Sequence, residues 1–400
     1  MYHDAEPTNI AFLHDKLQLG GSIHVSFQTT SQFNDYNINS HFFVRDIDNN
    51  TIAVQDSLYN VEILPKGKLL SEEQIDFMID KIQKHNIKIL FIATNLRKLP
   101  VRIKEQTNCK IIYWLHSTPF WEAITKDFKR KSAYRLYPKR FLYPLVKPII
   151  KVQYLSSLQK RKRIYLNILR DCDAYIVLCE EYKKDLLKNL PQATQYKSKI
   201  HTVINTIKIA ENIPTDKKKE IIFMGRLSFN DKRVDRVVRI WNKIYKKLPD
   251  WQVKIYGVGE EEENLQTLIK KLHVERLSLQ GYTSKIEDVY RSSSILCLTS
   301  NFEGVPLCMI EAQNYGVVPI AFNCVAGIDY VIGKKSGIAI PPYNEEMYAN
   351  ALLKLCADEN YLKEFQTECL KKRLEYTTKA NNRTWRNIFK LIDKPFIRIK

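Results

Sequence analysis

No Cys-x-x-Cys pair occurs among the eight cysteines at 109, 172, 179, 297, 308, 324, 356 and 369, and no Cys/His group has zinc spacing. Several sit in apolar runs, Cys297 in SILCLTS among them, so they read as reduced core residues in a reducing compartment. No stretch nears the roughly 18 apolar residues that a membrane span needs. The N-terminus MYHDAEPTNIAF carries acids early and lacks the basic, apolar, small-residue order of a secretion signal. G-x-x-x-x-G-K-[ST], H-E-x-x-H and G-x-S-x-G are also absent, which removes the commonest NTPase, metalloprotease and hydrolase signatures. There is no short internal repeat and no low-complexity tract. These absences lead us to expect a cytoplasmic protein whose membrane contact, if any, is peripheral, at the inner face.

What is present suits a folded chain of two domains. Its 400 residues exceed what one core usually supports, and 44% hydrophobic content with a mean hydropathy of −0.33 is ordinary for a globular protein. The net charge of +19 predicts an anionic partner: nucleic acid, an anionic membrane surface or a phosphorylated substrate.

Strand and helix signals alternate through both halves. A first strand at Asn9 to His14 leads through LQLGGS to a helix from about Ile23. HFFVRD, KILFIAT and KIIYWLH follow as strands, with SEEQIDFMIDKIQKH between them placing Ile75, Met78, Ile79 and Ile82 on one helical face behind Ser71. DAYIVLCEEYKKDLL reads as strand then helix, and HTVIN as one more strand. The polar run Glu211 to Glu220 reads as a linker. Strands IIFMGRL, WQVKIYG, LSLQGY, SILCLTS and VVPIAF then alternate with helices up to a last helical signal at about Lys379 to Ile392. The expectation is an α/β protein with mostly parallel sheets: domain 1–210, domain 211–378, and a C-terminal helix in 379–400. Ligands of such sheets bind at the carboxyl ends of strands.

Residues 125–163 stand apart. Thirteen cations face one acid, Asp127, so twelve of the nineteen net positive charges lie there, interleaved with Tyr134, Tyr137, Phe141, Tyr143 and Tyr154. A solvated face and a nucleic-acid surface are both open readings. We favour an interfacial surface facing an anionic membrane, because amphipathic aromatics and cations suit that boundary and no nucleic-acid-binding module accompanies them.

Two stretches carry candidate chemistry. Arg226 follows the strand IIFMG, and Lys232 comes six residues later in GRLSFNDKRVD. Arg can grip a diphosphate bidentately while Lys adds a point charge, a combination able to replace a divalent metal; two solvated cations beside a loop fit the spacing as well. In SNFEGVPLCMIEA, Gly304 and Pro306 mark a turn into a helix, and the backbone N–H groups of about Val305 to Leu307 would form a phosphate site. Glu303 precedes that helix and Glu311 lies two turns further in. They can serve sugar and ribose hydroxyls, or simply favour a helix start and face solvent. Asp46-Ile47-Asp48 and Asp171-Cys172-Asp173 match D-x-D, but one ends in a polar turn and the other begins a buried-looking strand, so no metal site is expected.

Taken in order, GRL with its following lysine, P-x-W-x-V-x-I-x-G-x-G (Pro249 to Gly259), LQGYT, E-G-V-P-L-x-x-x-E-A, G-V-V-P-I-A and GIAIPPYNEEMYANALLKL resemble the nucleotide-binding half of family 4 glycosyltransferases of the group 1 type. The resemblance implies a GT-B fold: two Rossmann-like domains with parallel sheets facing across a cleft, and a C-terminal helix crossing back to the first. It implies a retaining, metal-independent glycosyltransferase of the hexosyltransferase class with no cofactor. Its donor would be a UDP or GDP sugar, and its acceptor a glycan or lipid-linked hydroxyl in surface polysaccharide or lipopolysaccharide synthesis. Arg226 and Lys232 would hold the diphosphate, Glu303 the donor sugar and Glu311 the ribose, with Tyr282 bordering the base. Gly20 and Gly21 fit the family's glycine loop, where a plain turn fits equally. His116, at the end of KIIYWLH, falls where the family often has a reaction-centre histidine; a satisfied turn histidine is the alternative.

The chain also departs from the pattern. Asn205-Thr206 replaces an Asn-Gly turn, Asp329 stands where many members have Glu, and Ser22 follows the glycine pair in place of a frequent Glu. A sugar-nucleotide epimerase on the same fold would release nucleotide without an acceptor. A phosphorylase would need pyridoxal phosphate and a longer chain, and a basic nucleic-acid-binding scaffold would bind no nucleotide sugar.

Overall fold

Apolar runs too uniform to alternate, such as ILFI, ILCL and VPIAF, are buried along their whole length, as strands of a parallel sheet covered on both faces should be. The structure, a computed structural model, describes residues 7–17, 21–47, 60–93, 99–132 and 139–392. The chain divides into two compact units: Met1–Pro119 with Lys162–Thr206 and Thr378–Lys400, and Phe120–Arg161 with Ile207–Thr377.

The first stretch runs β1 (Thr8–Leu17), α1 (Gly21–Asn34), β2 (Ile38–Ile47), β3 (Asn60–Ile63), α2 (Glu72–Lys84), β4 (Ile89–Ile92), α3 (Leu99–Gln106), β5 (Lys110–Trp114), α4 (Trp121–Ser132), α5 (Tyr143–Asp171), β6 (Ala174–Val177), α6 (Glu180–Asn189) and β7 (Ile200–Thr202). Its strands form one parallel sheet in the order β3-β2-β1-β4-β5-β6-β7. In α2 the Ser71 hydroxyl accepts from the Gln74 N–H, and Ile75, Met78, Ile79 and Ile82 are buried, as the period of the sequence requires. The HTVIN strand is shorter than read and starts one residue earlier, at Ile200. Val203 N still donates to Val177 O of β6 at 3.0 Å, but from Ile204 the main chain turns to other partners: the Ile204 N–H donates to Asn381 Oδ1 at 3.0 Å.

The second stretch runs β8 (Glu220–Met224), α7 (Val234–Ile244), β9 (Gln252–Tyr256), α8 (Glu262–Leu272), β10 (Leu277–Gly281), α9 (Ile286–Ser292), β11 (Ile295–Leu298), α10 (Leu307–Asn314), β12 (Val318–Phe322), α11 (Ala326–Ile332), β13 (Ile338–Ile340), α12 (Glu345–Ala357), α13 (Glu359–Lys372) and α14 (Asn382–Phe389). Its parallel sheet has the order β10-β9-β8-β11-β12-β13. A core of Phe223, Val238, Trp241, Ile255, Ile320 and Leu355 fills the space against α7 and α12.

Three further features differ from the sequence reading. The chain passes to the second unit after Thr206, and the 211–220 segment is clamped to α9 where a free tether was expected: Arg291 Nη1 donates to the carbonyls of Glu211 and Asn212, and Lys217 Nζ to those of Tyr290 and Arg291. Helix α4 and the first part of α5, assigned from sequence to the first domain, belong to the second unit, where Phe128 stacks against Phe302 with ring centroids 6.3 Å apart. The short strands β3 and β13, with four and three residues, have too little pattern to be read in advance.

The C-terminal helix does return to the first unit. Trp385 of α14 is fully buried edge-on against Phe33 at 4.9 Å, Trp114 at 5.6 Å and Phe91 at 6.1 Å. Aromatic edges meeting aromatic faces hold the helix on the sheet beyond what area burial alone provides.

Candidate functional site

The carboxyl ends of β8, β9 and β10 are zipped into one ledge. Gly225 N donates to Tyr256 O at 3.1 Å, Leu227 N to Val258 O at 3.0 Å, and Gly257 N to Gly281 O at 2.8 Å. So close an approach admits no side chain: a Cβ on Gly257, at φ +136°, would lie 1.9 Å from the Gly225 carbonyl oxygen.

A second set of bonds ties the β8 loop to the β11 loop. Thr299 Oγ1 donates to the carbonyl of Arg233 at 2.9 Å, Asn301 N to Asp231 O at 2.7 Å, and Asn301 Nδ2 to Asn230 O at 2.6 Å. The buried Arg236 donates to Thr299 O at 2.9 Å while lying over the Tyr343 ring at 4.5 Å. Arg233 takes a left-handed φ of 52° to let the chain turn from this loop into α7, the kind of local strain that gathers at functional sites.

The result brings Lys232 to Glu303. Lys232 Nζ lies 2.8 and 3.1 Å from the two carboxylate oxygens, and Ser300 Oγ donates to Glu303 Oε1 at 2.6 Å. Glu303 is 9% exposed and the Lys232 side chain 25%. Burial works against the ammonium, but the neighbouring carboxylate outweighs it and holds the Lys232 pKa above the ordinary lysine value.

Arg226 follows Gly225 and has an exposed side chain, paired through Nη2 with Asp231. Burial would raise the Asp231 carboxyl, but the Ser228 hydroxyl and the Arg226 charge together hold it below the usual range. The structure therefore joins Lys232 to Glu303 directly and attaches Arg226 to the residue just before Lys232.

Pro306 is the N-cap of α10, and Val305 is buried beside it. Glu311, on the same helix, accepts from the Tyr290 hydroxyl at 3.1 Å. Tyr290 is 1% exposed, and burial together with the Glu311 charge pushes its pKa well up, so it stays a donor. Tyr282 follows Gly281 at the end of β10 and is 61% exposed.

In the first unit, His116 follows β5 and stacks on Trp114 at 4.8 Å. Burial, with the His14 ring adding, pulls its pKa down to about 3; burial pulls His14 to about 4. The two rings line one small recess with Ser26, which bonds His14 Nε2 at 3.0 Å. Gly21 is the exposed first residue of α1, and Gly20 lies outside the described residues. Of the D-x-D acids, Asp46 pairs with Lys16, Asp173 with Lys104 and the Ile111 N–H, and Asp171 with Arg170; Asp48 lies outside the described residues.

Sequence reasoning passed over Ser300, Asp231 and Tyr290, the groups that orient Glu303, Arg226 and Glu311. Ser300, three residues before Glu303, and Asp231, adjacent to Lys232, sit where local pairing could have found them. Tyr290 carries no such signal, since 21 residues and a strand separate it from Glu311.

Residues 205–372 match the family model for glycosyl transferases group 1. By that match this region is similar to the group 1 glycosyltransferases. An uncharacterised glycosyltransferase of Haemophilus influenzae is 35% identical over 48% of this chain and 54% of its own length. The amylovoran biosynthesis glycosyltransferase AmsD of Erwinia amylovora is 30% identical over 46% of this chain and 52% of its own. The chain thus spans about half the length of these curated relatives. Among solved structures, S. aureus TarM in complex with fondaparinux, alpha-GlcNAc-glycerol and UDP has a TM-score of 0.71 at 15% identity, covering 97% of this chain and 100% of that one. Anabaena HepE in complex with UDP-glucose has a TM-score of 0.73 at 13% identity, covering 96% and 99%. The fold is GT-B. The matched region therefore contains Arg226, Lys232, Tyr282, Glu303 and Glu311, while Gly20, Gly21 and His116 lie outside it.

Proposed function

We propose that the chain is a retaining, metal-independent glycosyltransferase that moves a sugar from a UDP or GDP donor to a hydroxyl of a glycan or lipid-linked acceptor in surface-glycan synthesis. The observation that carries this reading is the meeting of Lys232 and Glu303 at the carboxyl ends of β8 and β11, beside the start of α10. AmsD, named for amylovoran biosynthesis, and the neighbours solved with UDP or UDP-glucose support the reaction class and the donor type.

In this reading a bound donor diphosphate draws Lys232 and Arg226 away from their carboxylate partners. The backbone N–H groups of Val305 and Leu307, on either side of Pro306, serve its oxygens. Glu303 then accepts from donor-sugar hydroxyls, and Glu311, fixed by Tyr290, accepts from the ribose. Tyr282 borders the base. His116, neutral at working pH, suits a hydrogen bond to a sugar hydroxyl, and Gly21, at the start of α1, suits close approach of phosphate or acceptor. The bond from the anomeric carbon to the diphosphate oxygen breaks as a bond to the acceptor oxygen forms on the same face. The acceptor proton passes to the leaving phosphate, whose growing charge the two cations stabilise. No metal, and no cofactor beyond the donor substrate, enters. All eight cysteines are unpaired thiols, which fits a reducing, cytoplasmic setting.

The test is a thermal-shift screen with UDP, GDP, ADP and their sugars, followed by turnover of the stabilising donor with and without EDTA. A stabilising nucleotide sugar and EDTA-resistant transfer are expected. Stabilisation by none of them, or a strict need for magnesium or manganese, overturns the reading.

A further inference from the structure

The first half of α5 leaves its apolar side chains in solvent. Fifteen large apolar residues are exposed among those described, and six of them fall between 141 and 155: Phe141, Leu142, Leu145, Ile149, Val152 and Leu155. Leu145 is 74% exposed, Ile149 58% and Val152 65%. Their spacing of four and three residues lines them along one side of the helix. Ile150, 5% exposed, is anchored on another side, about 140° round from Leu145 at the helical 100° per residue. The helix is held by one edge and presents an apolar stripe from the other.

The surroundings say what covers it. No Asp or Glu occurs from 128 through 170. The exposed Lys160 and Arg163, eleven residues beyond Ile149 and Val152 and so about 20° round from each, continue the stripe's face along the same helix, while Lys147 and Lys151 lie on the far side. A second copy of the chain would set cations against cations, a repulsive contact. An anionic bilayer offers an apolar interior for the stripe and negative headgroups for the cations on its face. No described helix is long and apolar enough to cross a membrane, so this one would lie along the interface.

We infer that the stripe Leu145, Ile149 and Val152, with Lys160 and Arg163, is a docking surface for an anionic lipid bilayer. It names the membrane face of the proposed transferase, yet its test needs neither donor nor turnover, so its failure is distinct from failure of that reading.

The experiment is co-sedimentation of the full chain with vesicles of pure phosphatidylcholine and with vesicles containing phosphatidylglycerol, at low and high salt. Binding to the anionic vesicles alone, weakened by salt, is expected. The variant L145E/I149E/V152E should abolish it, and because these residues are exposed its thermal melt should match the parent. The second variant K160Q/R163Q, which keeps the apolar stripe, should weaken binding at least about tenfold, since each cation near such a surface contributes about fivefold. Equal binding to neutral and anionic vesicles, no binding to either, or unchanged binding by the triple variant overturns the inference. An oligomer in the parent that the triple variant dissolves, with no vesicle binding, would assign the stripe to a contact between copies instead.

Discussion

Lys232 and Glu303 stand 71 residues apart in the chain, yet the ammonium nitrogen of one lies 2.8 Å from the carboxylate of the other. The contact depends on the bonds from Thr299 and Asn301 that lash their two loops together. On the proposed reading, replacing Lys232 with Ala removes a charge that stabilises the leaving group, so turnover should fall about a hundredfold or more. It also leaves a 9%-exposed carboxylate without its ammonium partner, keeping the Ser300 bond, at a stability cost of about 1–3 kcal/mol. Single-turnover kinetics and a urea melt check the two effects separately, and unchanged turnover would refute the assignment of Lys232.

Tyr290 acts one step removed. Its hydroxyl orients Glu311, and on the proposed reading Glu311 meets the ribose. Tyr290→Phe keeps the buried ring and deletes one hydrogen bond. Donor KM should rise about two- to tenfold with kcat nearly unchanged, the size of one net hydrogen bond. A fall in kcat at constant KM would place Tyr290 in the chemical step instead.

How much of this was legible beforehand follows from range. The α2 face was readable because Ile75, Met78, Ile79 and Ile82 repeat at helical spacing behind a Ser cap. Glu303 and Lys232 were readable as candidates because each sits just past a strand, and the order of motifs in the second half pointed to the family. That Lys232 would meet Glu303 directly, while Arg226 met Asp231, was not readable; sheet order and loop bonds decide it. The placement of α4 and early α5 was obscured by charge. The thirteen cations draw the eye to solvent, whereas the single ring of Phe128, stacked on Phe302, ties the segment into the second unit.

Gly257 tests the strand-end ledge. Alanine there faces both a strained positive φ and a carbonyl oxygen 1.9 Å from its Cβ, and the obstacle is backbone that cannot swing aside. Gly257→Ala should destabilise the domain by about 3 kcal/mol or more, in the range reserved for specific steric conflicts. Differential scanning calorimetry should show the loss. A melt within a degree or two of the parent would mean that β8 and β9 can separate at this point.

Acid should loosen the first unit. His14 and His116 carry folded-state pKa values of about 4 and 3 against an unfolded value of 6.5, so both rings are neutral in the native state. Burial also lowers His41 and His201. Below pH 6.5 the unfolded chain takes up protons that the folded chain refuses, and stability drops as pH falls from 6.5 toward 4. Each of the two rings should cost about 2 kcal/mol by pH 5, while the window above pH 7 stays flat for these groups. Thermal melts at pH 7.5 and pH 5 measure the slope. The double variant His14→Gln, His116→Gln has no proton to accept at either site, so it should start less stable at pH 7.5 and lose distinctly less on acidification. If parent and variant fell by equal amounts, the acid sensitivity would have to come from other groups, and the neutral imidazole assigned to His116 would lose its support.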